Sequence, residues 1–563
     1  MRILSLATLL FVLITHSISA QDAPLEMIPG SASLVIRLQA PETTVAELAA
    51  FINKVQPGLG DLAKGQLPAA LGLGLSNPTL AGVDQTQHWY GILFADENGN
   101  MKGVLLLPAT DTTKLKTAMG SAFKFAEKDG WLACSRAEQY LGEFERCQSG
   151  QVESIAGKID DRTKSALMSG HLCVVVNGPA LKEAFADELA SAEDRLEELL
   201  QNMKELIRTG NPEMDMAFVL DMYRDFGKVL LQGVRDSNSA AISVKVTDDA
   251  VQIEHLLTVE ADSKTDAFFQ TQPVSDMARL TSVPEGLAGY MAIHGDPHVL
   301  FDWSERMMLQ MFKEDELKEK AAKSIALMRA AEFGTLAVGG DLLPDEDTAL
   351  RYFALSEISP SSVMREAFEI LGTGMDYEIA GIRQKQTVEM DAETIDGQSV
   401  HILRMEQTMP EGFDPTGMQK AINEKMYGPD GIVQRIVLKD DLVLQTMGGE
   451  SASMKRLMTA TKWSDSQLLA ARARQYEQAN VLILVDVPNS VEKFAKLILG
   501  TGVFPVPVKA EQLDGLEIAP SYAGFSMAVE KQHLTARTSI PTETFRGFVQ
   551  IGMFVQQLGA PAR

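Results

Sequence analysis

One joint recurs along this chain and constrains its fold more than any other feature: a short β-type run, then a proline, then a helical pattern. SLVIRLQAPETTVAELAAFI, HLCVVVNGPALKEAFADEL, AGYMAIHGDPHVLFDWSERM and NVLILVDVPNSVEKFAKLI carry it, with the proline at Pro41, Pro179, Pro297 and Pro488. Proline has its φ preset for a first helical turn and has no N–H to leave unpaired there, so it punctuates a strand-to-helix passage. Runs around Pro108 and Pro360 fit the same scheme. The copies fall in the same order twice. Each half offers a joint, an apolar hairpin (WYGILFADENGNMKGVLLL or GTLAVGGDLLPDEDTALRYFAL), a further strand and helix, a second joint and a closing hairpin. We read this as a duplication, with halves of about 27–275 and 284–563 joined near Thr281 to Gly286.

The strands alternate apolar and polar residues as half-buried antiparallel strands do, and the helices are short and amphipathic. The expected class is therefore α+β: two similar halves, each an antiparallel-rich sheet with helices on one face. Each half also carries material that the other lacks. In the first, Phe185, Leu189, Ala192, Leu196, Leu199, Met203 and Leu206 recur at spacings of three and four, and a turn at Thr209 to Pro212 follows. This predicts a helical hairpin over about 179–234. In the second, strand-like TVEMDAETIDGQSVHILRMEQ predicts extra strands over about 375–440.

The N-terminus reads as a secretory signal peptide over residues 1–20. Arg2 is followed by an apolar stretch from Ile3 to Ile14, which is too short to span a bilayer, and cleavage near Ala20 is expected. An exported protein, periplasmic or extracellular, with no membrane span is the expectation. The net charge of −25 argues against a nucleic-acid partner, whose phosphates require a basic footprint. Cys134, Cys147 and Cys173 are an odd number, so at most one internal disulfide forms; Cys134 and Cys173 lie in apolar runs that suit small buried hydrophobes.

His294-Gly-Asp-Pro-His298 is the most metal-like stretch. Two imidazoles and a carboxylate within five residues suggest His294, Asp296 and His298 as metal ligands of a metal-dependent hydrolase. The stretch also coincides with a joint, which explains it structurally: Asp296 as a helix N-cap and Pro297 as the first helical residue. There is no Gly-x-Ser-x-Gly elbow, no His-Glu-x-x-His and no Walker loop, and no cofactor is indicated. The acidic turns at Asp96 to Asn100 and Asp341 to Asp347 read as hairpin tips.

The layout as a whole, with DGWLACS and DDLVLQT as its most typical stretches, resembles exported bacterial proteins of unknown function. The resemblance implies the fold and the compartment and carries over no site residues. The functional expectation is a non-catalytic exported protein that binds another protein or a cell-envelope component, with the helical hairpin a candidate for self-association. The metal-dependent hydrolase is the alternative.

Overall fold

The computed structural model describes residues 23–559 apart from 97–98, 211–216, 313, 373, 380–381, 410–413, 415–416 and 503–508. The segment expected to be a signal peptide, residues 1–20, lies outside the described residues. In chain order the first elements are α1 (Ala23–Met27), β1 (Leu34–Leu38), α2 (Pro41–Val55), α3 (Leu59–Gly74), β2 (Trp89–Ala95), β3 (Met101–Pro108), α4 (Thr112–Met119), β4 (Lys124–Lys128), β5 (Trp131–Ser135), α5 (Glu138–Gln148), α6 (Asp161–Met168) and β6 (Leu172–Asn177). Then come α7 (Gly178–Ala184), α8 (Ala186–Ala190), α9 (Ala192–Gly210), α10 (Ala217–Asp236), β7 (Ser237–Val246), β8 (Ala250–Val259) and α11 (Lys264–Gln270).

The chain continues through β9 (Gly289–Ile293), α12 (His298–Met311), α13 (Asp315–Arg329), β10 (Glu332–Leu342), β11 (Leu350–Ser359), α14 (Ser362–Leu371), β12 (Met375–Ile379), β13 (Ile382–Ile395) and β14 (Gln398–Thr408). It closes with α15 (Met418–Tyr427), β15 (Ile432–Lys439), β16 (Leu442–Met447), α16 (Glu450–Met458), α17 (Ser466–Ala473), β17 (Val481–Asp486), α18 (Val487–Gly500), β18 (Tyr522–Glu530), β19 (His533–Pro541) and α19 (Thr542–Gly559). The class is α+β with a large antiparallel sheet.

The chain divides into two compact units, and these do not follow the two sequence halves. The first comprises residues 1–193, 230–270 and 530–546; the second comprises 194–229, 271–529 and 547–563. In the first unit the strands run β4-β5-β3-β2-β1-β6-β7-β8-β19, every pair antiparallel. The second unit runs β18-β17-β9-β10-β11-β16-β15-β14-β13-β12, again antiparallel throughout. The last strand, β19, thus belongs to the first unit although it lies in the second half of the sequence.

Helices cover both faces of the strands, not one as the sequence suggests. Tyr90, Ile92, Val104 and Leu106 pack with Tyr140 and Phe144 of α5 and Leu167 of α6. Their neighbours Trp89 and Leu107, which point the other way because side chains alternate along a strand, pack with Leu115 and Met119 of α4. The second unit repeats this. Val437 and Leu444 lie with Leu457 of α16 and Leu468 of α17, while Ile436 and Val443 lie with Phe368 of α14. The local reason is visible in the runs VLLL and RIVLK, which are apolar on both faces and not alternating.

The joints stand where proline was expected to put them. Pro41 opens α2, and Pro179 and Pro488 sit in the first turns of α7 and α18. Arg37 of β1 is 1% exposed, and its guanidinium donates to the carbonyl oxygens of Leu167, Met168 and Gly170, closing off the C-terminal end of α6. Beside it His171 is buried, with Nδ1 accepting the Val246 N–H at 3.3 Å.

Candidate functional site

The HGDPH stretch forms the passage from β9 to α12. His294 donates its backbone N–H to the Asn480 carbonyl at 2.8 Å, and its Nδ1 lies 3.2 Å from Thr335 Oγ1 on β10. His298 faces elsewhere. Its Nδ1 is 2.5 Å from Asp296 Oδ1 and its Nε2 is 3.1 Å from the Arg329 carbonyl at the end of α13. A carboxylate and a carbonyl can only accept, so both ring nitrogens donate and the network assigns His298 as an imidazolium. The hydrogen bond to Asp296 accordingly raises the His298 pKa above its ordinary value, and the His298 backbone N–H and ring hold Asp296 down.

An imidazolium has no lone pair for a metal. Among the described residues no group of three or more His, Cys, Asp or Glu side chains could hold an ion. The alternative of a metal-dependent hydrolase with His294, Asp296 and His298 as ligands is therefore corrected: the stretch is a structural joint. Asp296 does cap the helix, since its Oδ1 accepts the His298 N–H at 2.9 Å, but the N-cap residue is Pro297 and the first helical residue is His298, one later than expected. The physical reason for the failed ligand set is the turn itself, which sends the two rings toward different strands and helices.

The cysteines do not offer chemistry either. Cys134, Cys147 and Cys173 are all buried free thiols. Burial pushes Cys134 and Cys173 up to about 12, far from the thiolate that a nucleophile needs.

Two surfaces stand out. The first is the helical hairpin, formed by α9 and α10, shorter than the 179–234 expected because α7 and α8 precede it as separate helices. Within its stretch 194–229 the helices approach closely at Gly227, where a Cβ would come within 2.6 Å of Leu196 Cδ2. Arg224 Nε donates to Glu197 Oε2 at 2.8 Å and Lys228 reaches the same carboxylate. Leu200 and Leu220 are buried. Yet Leu199, Met203 and Leu206 on α9, and Tyr223, Phe226 and Val229 on α10, are exposed, with Leu206 at 73% and Val229 at 68%. The predicted stripe therefore splits: its Leu196 side turns toward the partner helix and its Leu199 side faces outward. Met214 and Met216 lie outside the described residues.

The second surface is a cleft of about 500 Å³ in the first unit, lined by Asp160, Asp161, Arg162, Asn238, Thr258, Val259, Glu260, Ala261, Gln532 and His533. It gathers the N-terminus of α6, the start of β7, the end of β8 and the turn into β19. Asp160 caps α6 by accepting the Thr163 N–H at 3.0 Å, and Ser239 Oγ donates to it at 3.1 Å. Burial works to raise Asp160, but hydrogen bonds from Thr163, Ser239 and Thr258 outweigh it and hold the carboxyl below its usual range. Thr258 Oγ1 lies 3.2 Å from His533 Nδ1. Sequence reading missed this cleft, because its residues are ordinary polar types from four separated segments and form no motif.

No family model matches the chain, and no curated protein or solved structure matches it either. Among the described residues no helix is long and apolar enough to cross a membrane.

Proposed function

We propose that this is an exported, non-catalytic protein that binds another protein or a cell-envelope component, and that the outward face of the α9–α10 hairpin is the contact. The observation that carries the proposal is the set of six exposed apolar side chains, Leu199, Met203, Leu206, Tyr223, Phe226 and Val229. Exposed apolar residues scattered singly are normal, but a grouped set on one supersecondary unit is typical of an interaction surface. Tyr and Phe are also the residue types that anchor interfaces.

The same reading takes the chain as a duplication in which each half has acquired its own addition. It is supported by the strand orders: β4-β5-β3-β2-β1-β6-β7 and β15-β16-β11-β10-β9-β17-β18 correspond position by position. Among the described residues the hairpin has no counterpart between β17 and β18, and β12 to β14 have none between β3 and β4. Such additions to one copy of a repeated fold are where functions diverge.

A photo-crosslinking residue placed at Phe226 in cells tests the contact, with the same residue at Lys385 on β13 as control. A discrete adduct at Phe226 and none at Lys385 is expected. No adduct at Phe226, or equal adducts at both, refutes the assignment. N-terminal sequencing of the protein recovered from outside the cytoplasm tests export: a start near residue 21 is expected, and Met1 overturns it.

A further inference from the structure

The cleft in the first unit has a distinctive balance of groups. Every charged side chain on its wall already has a counter-charge or a full set of donors. Arg162 pairs with Glu530 at 2.5 Å, Glu260 with Lys182 at 2.6 Å and Asp161 with Lys164 at 2.9 Å. Asp160 is held by the amide and hydroxyl groups of Thr163 and by Ser239. A charged ligand entering the cleft finds no uncompensated partner, and would have to displace one of these pairs.

Neutral hydrogen-bonding groups, by contrast, are left over. The side-chain amides of Asn238 and Gln532 make no hydrogen bond among the described residues. Among the described residues His533 uses only one of its two ring nitrogens. The Thr258 hydroxyl donates toward the Asp160 carboxylate and so accepts from His533 Nδ1–H, which leaves Nε2 with its lone pair free. The ring stays neutral near pH 7, since burial and the nearby Arg162 both lower its pKa. The wall therefore presents two amides, each a donor and an acceptor, and one imidazole acceptor, next to the small apolar patch of Val259 and Ala261.

We propose that this cleft binds a neutral polyhydroxyl ligand, a saccharide unit, through Asn238, Gln532 and His533. A hydroxyl both donates and accepts, so vicinal hydroxyls match paired amides and a lone-pair nitrogen without requiring any charge. A volume of about 500 Å³ is enough for one or two sugar rings. The wall carries no Trp, Tyr or Phe for a ring to stack on, so hydrogen bonds supply the specificity and the dissociation constant is expected on the order of millimolar. The proposal does not depend on the hairpin assignment.

The test is saturation-transfer NMR on the full chain with maltose, cellobiose and N,N′-diacetylchitobiose, using glucosamine and glucuronate as charged controls. At least one neutral sugar should receive saturation while the charged controls do not. His533→Ala and Asn238→Ala should each weaken binding about fivefold or more, as expected for loss of a hydrogen bond. Gln532→Gly keeps the measurement decisive should those variants misfold, because Gln532 sits at φ 61, a conformation glycine adopts freely. It too should weaken binding, whereas Phe226→Ser on the hairpin should leave it unchanged. The proposal is overturned if no neutral sugar receives saturation, if binding survives the cleft substitutions, or if either charged control binds more tightly.

Discussion

The β13–β14 extension and the α9–α10 hairpin differ in what they show to solvent. The β13–β14 extension is covered by charge pairs. Arg383 meets Asp376, Arg365 meets Asp391, Arg404 meets Glu389 and Arg435 meets Glu393. Among the described residues, none of the strongly exposed large apolar ones falls between 375 and 408. The α9–α10 hairpin also has its ion pairs, but it leaves Leu206, Phe226 and Val229 more than half exposed. A surface whose charges are mutually satisfied needs nothing further, whereas exposed apolar area gains free energy when it is covered. The edge strands reinforce the contrast: β4 reads KFAEK and β12 reads MDYEI, both short and charged, as edges that discourage pairing usually are. The hairpin thus leaves apolar area uncovered where the β extension does not.

The largest expected effect concerns what lies beneath the surface. The first unit buries His171 neutral, with burial and the Arg37 charge lowering its pKa to about 3. The unfolded chain takes up a proton near pH 6.5 that the folded chain refuses, so stability should fall as pH drops from about 6.5 toward 3. The loss is on the order of 4 kcal/mol for this residue. Denaturant titrations at stepped pH check this, and His171→Asn should flatten the dependence. A wild-type stability that is level across the window contradicts the assignment. His88, lowered to about 4 by burial, should add in the same direction.

A smaller effect is expected in the β extension. Arg435 grips Glu393 with two hydrogen bonds of 3.0 Å, and Ser451 donates to the same carboxylate. Arg435→Met should cost about 2 kcal/mol, measured as a lower denaturant midpoint, because the pair is bidentate and mostly shielded. A cost below about 0.5 kcal/mol would mean that these charge pairs decorate the extension without holding it.

His298 in the second unit should respond to pH in the opposite sense to His171. Its pKa is raised in the fold, so its contribution is full below pH 6.5 and is lost as pH rises through the raised value. The side chain is 44% exposed, so after solvent screening only a few tenths of a kcal/mol are expected. Proton titration of the His298 ring by NMR is the sharper measurement. A value at or below 6.5 would show that Asp296 and the Arg329 carbonyl do not hold it as a cation.

The smallest stability effect is the most informative about function. Replacing Tyr223, Phe226 and Val229 together by Ser should change stability by less than about 0.5 kcal/mol, since exposed positions contribute little. The same variant should lose the Phe226-centred contact at least tenfold. If instead it unfolds, the hairpin face is packed in the native protein and the contrast with the β extension disappears.

Much of this architecture was legible without coordinates. The prolines at 41, 179 and 488 mark real strand-to-helix joints because φ restriction and the missing N–H act on the residue itself. The hairpin tips near Asp96 and Asp341 follow from turn chemistry equally close at hand. What did not hold was the alternative that read adjacency as a metal site. His294 and His298 are four residues apart, yet their ring partners are Thr335, 41 residues from the first, and the Arg329 carbonyl, 31 from the second. Helices on both faces, the transfer of β19 to the first unit and the outward turn of Leu199 were likewise decided by packing. The cleft is the extreme case, since Thr258 and His533 meet across 275 residues. Local sequence determines backbone preference because those forces reach only a few residues. Which side chains share a cleft, and which apolar stripe stays uncovered, depends on the surface each element buries, and only the folded chain decides that.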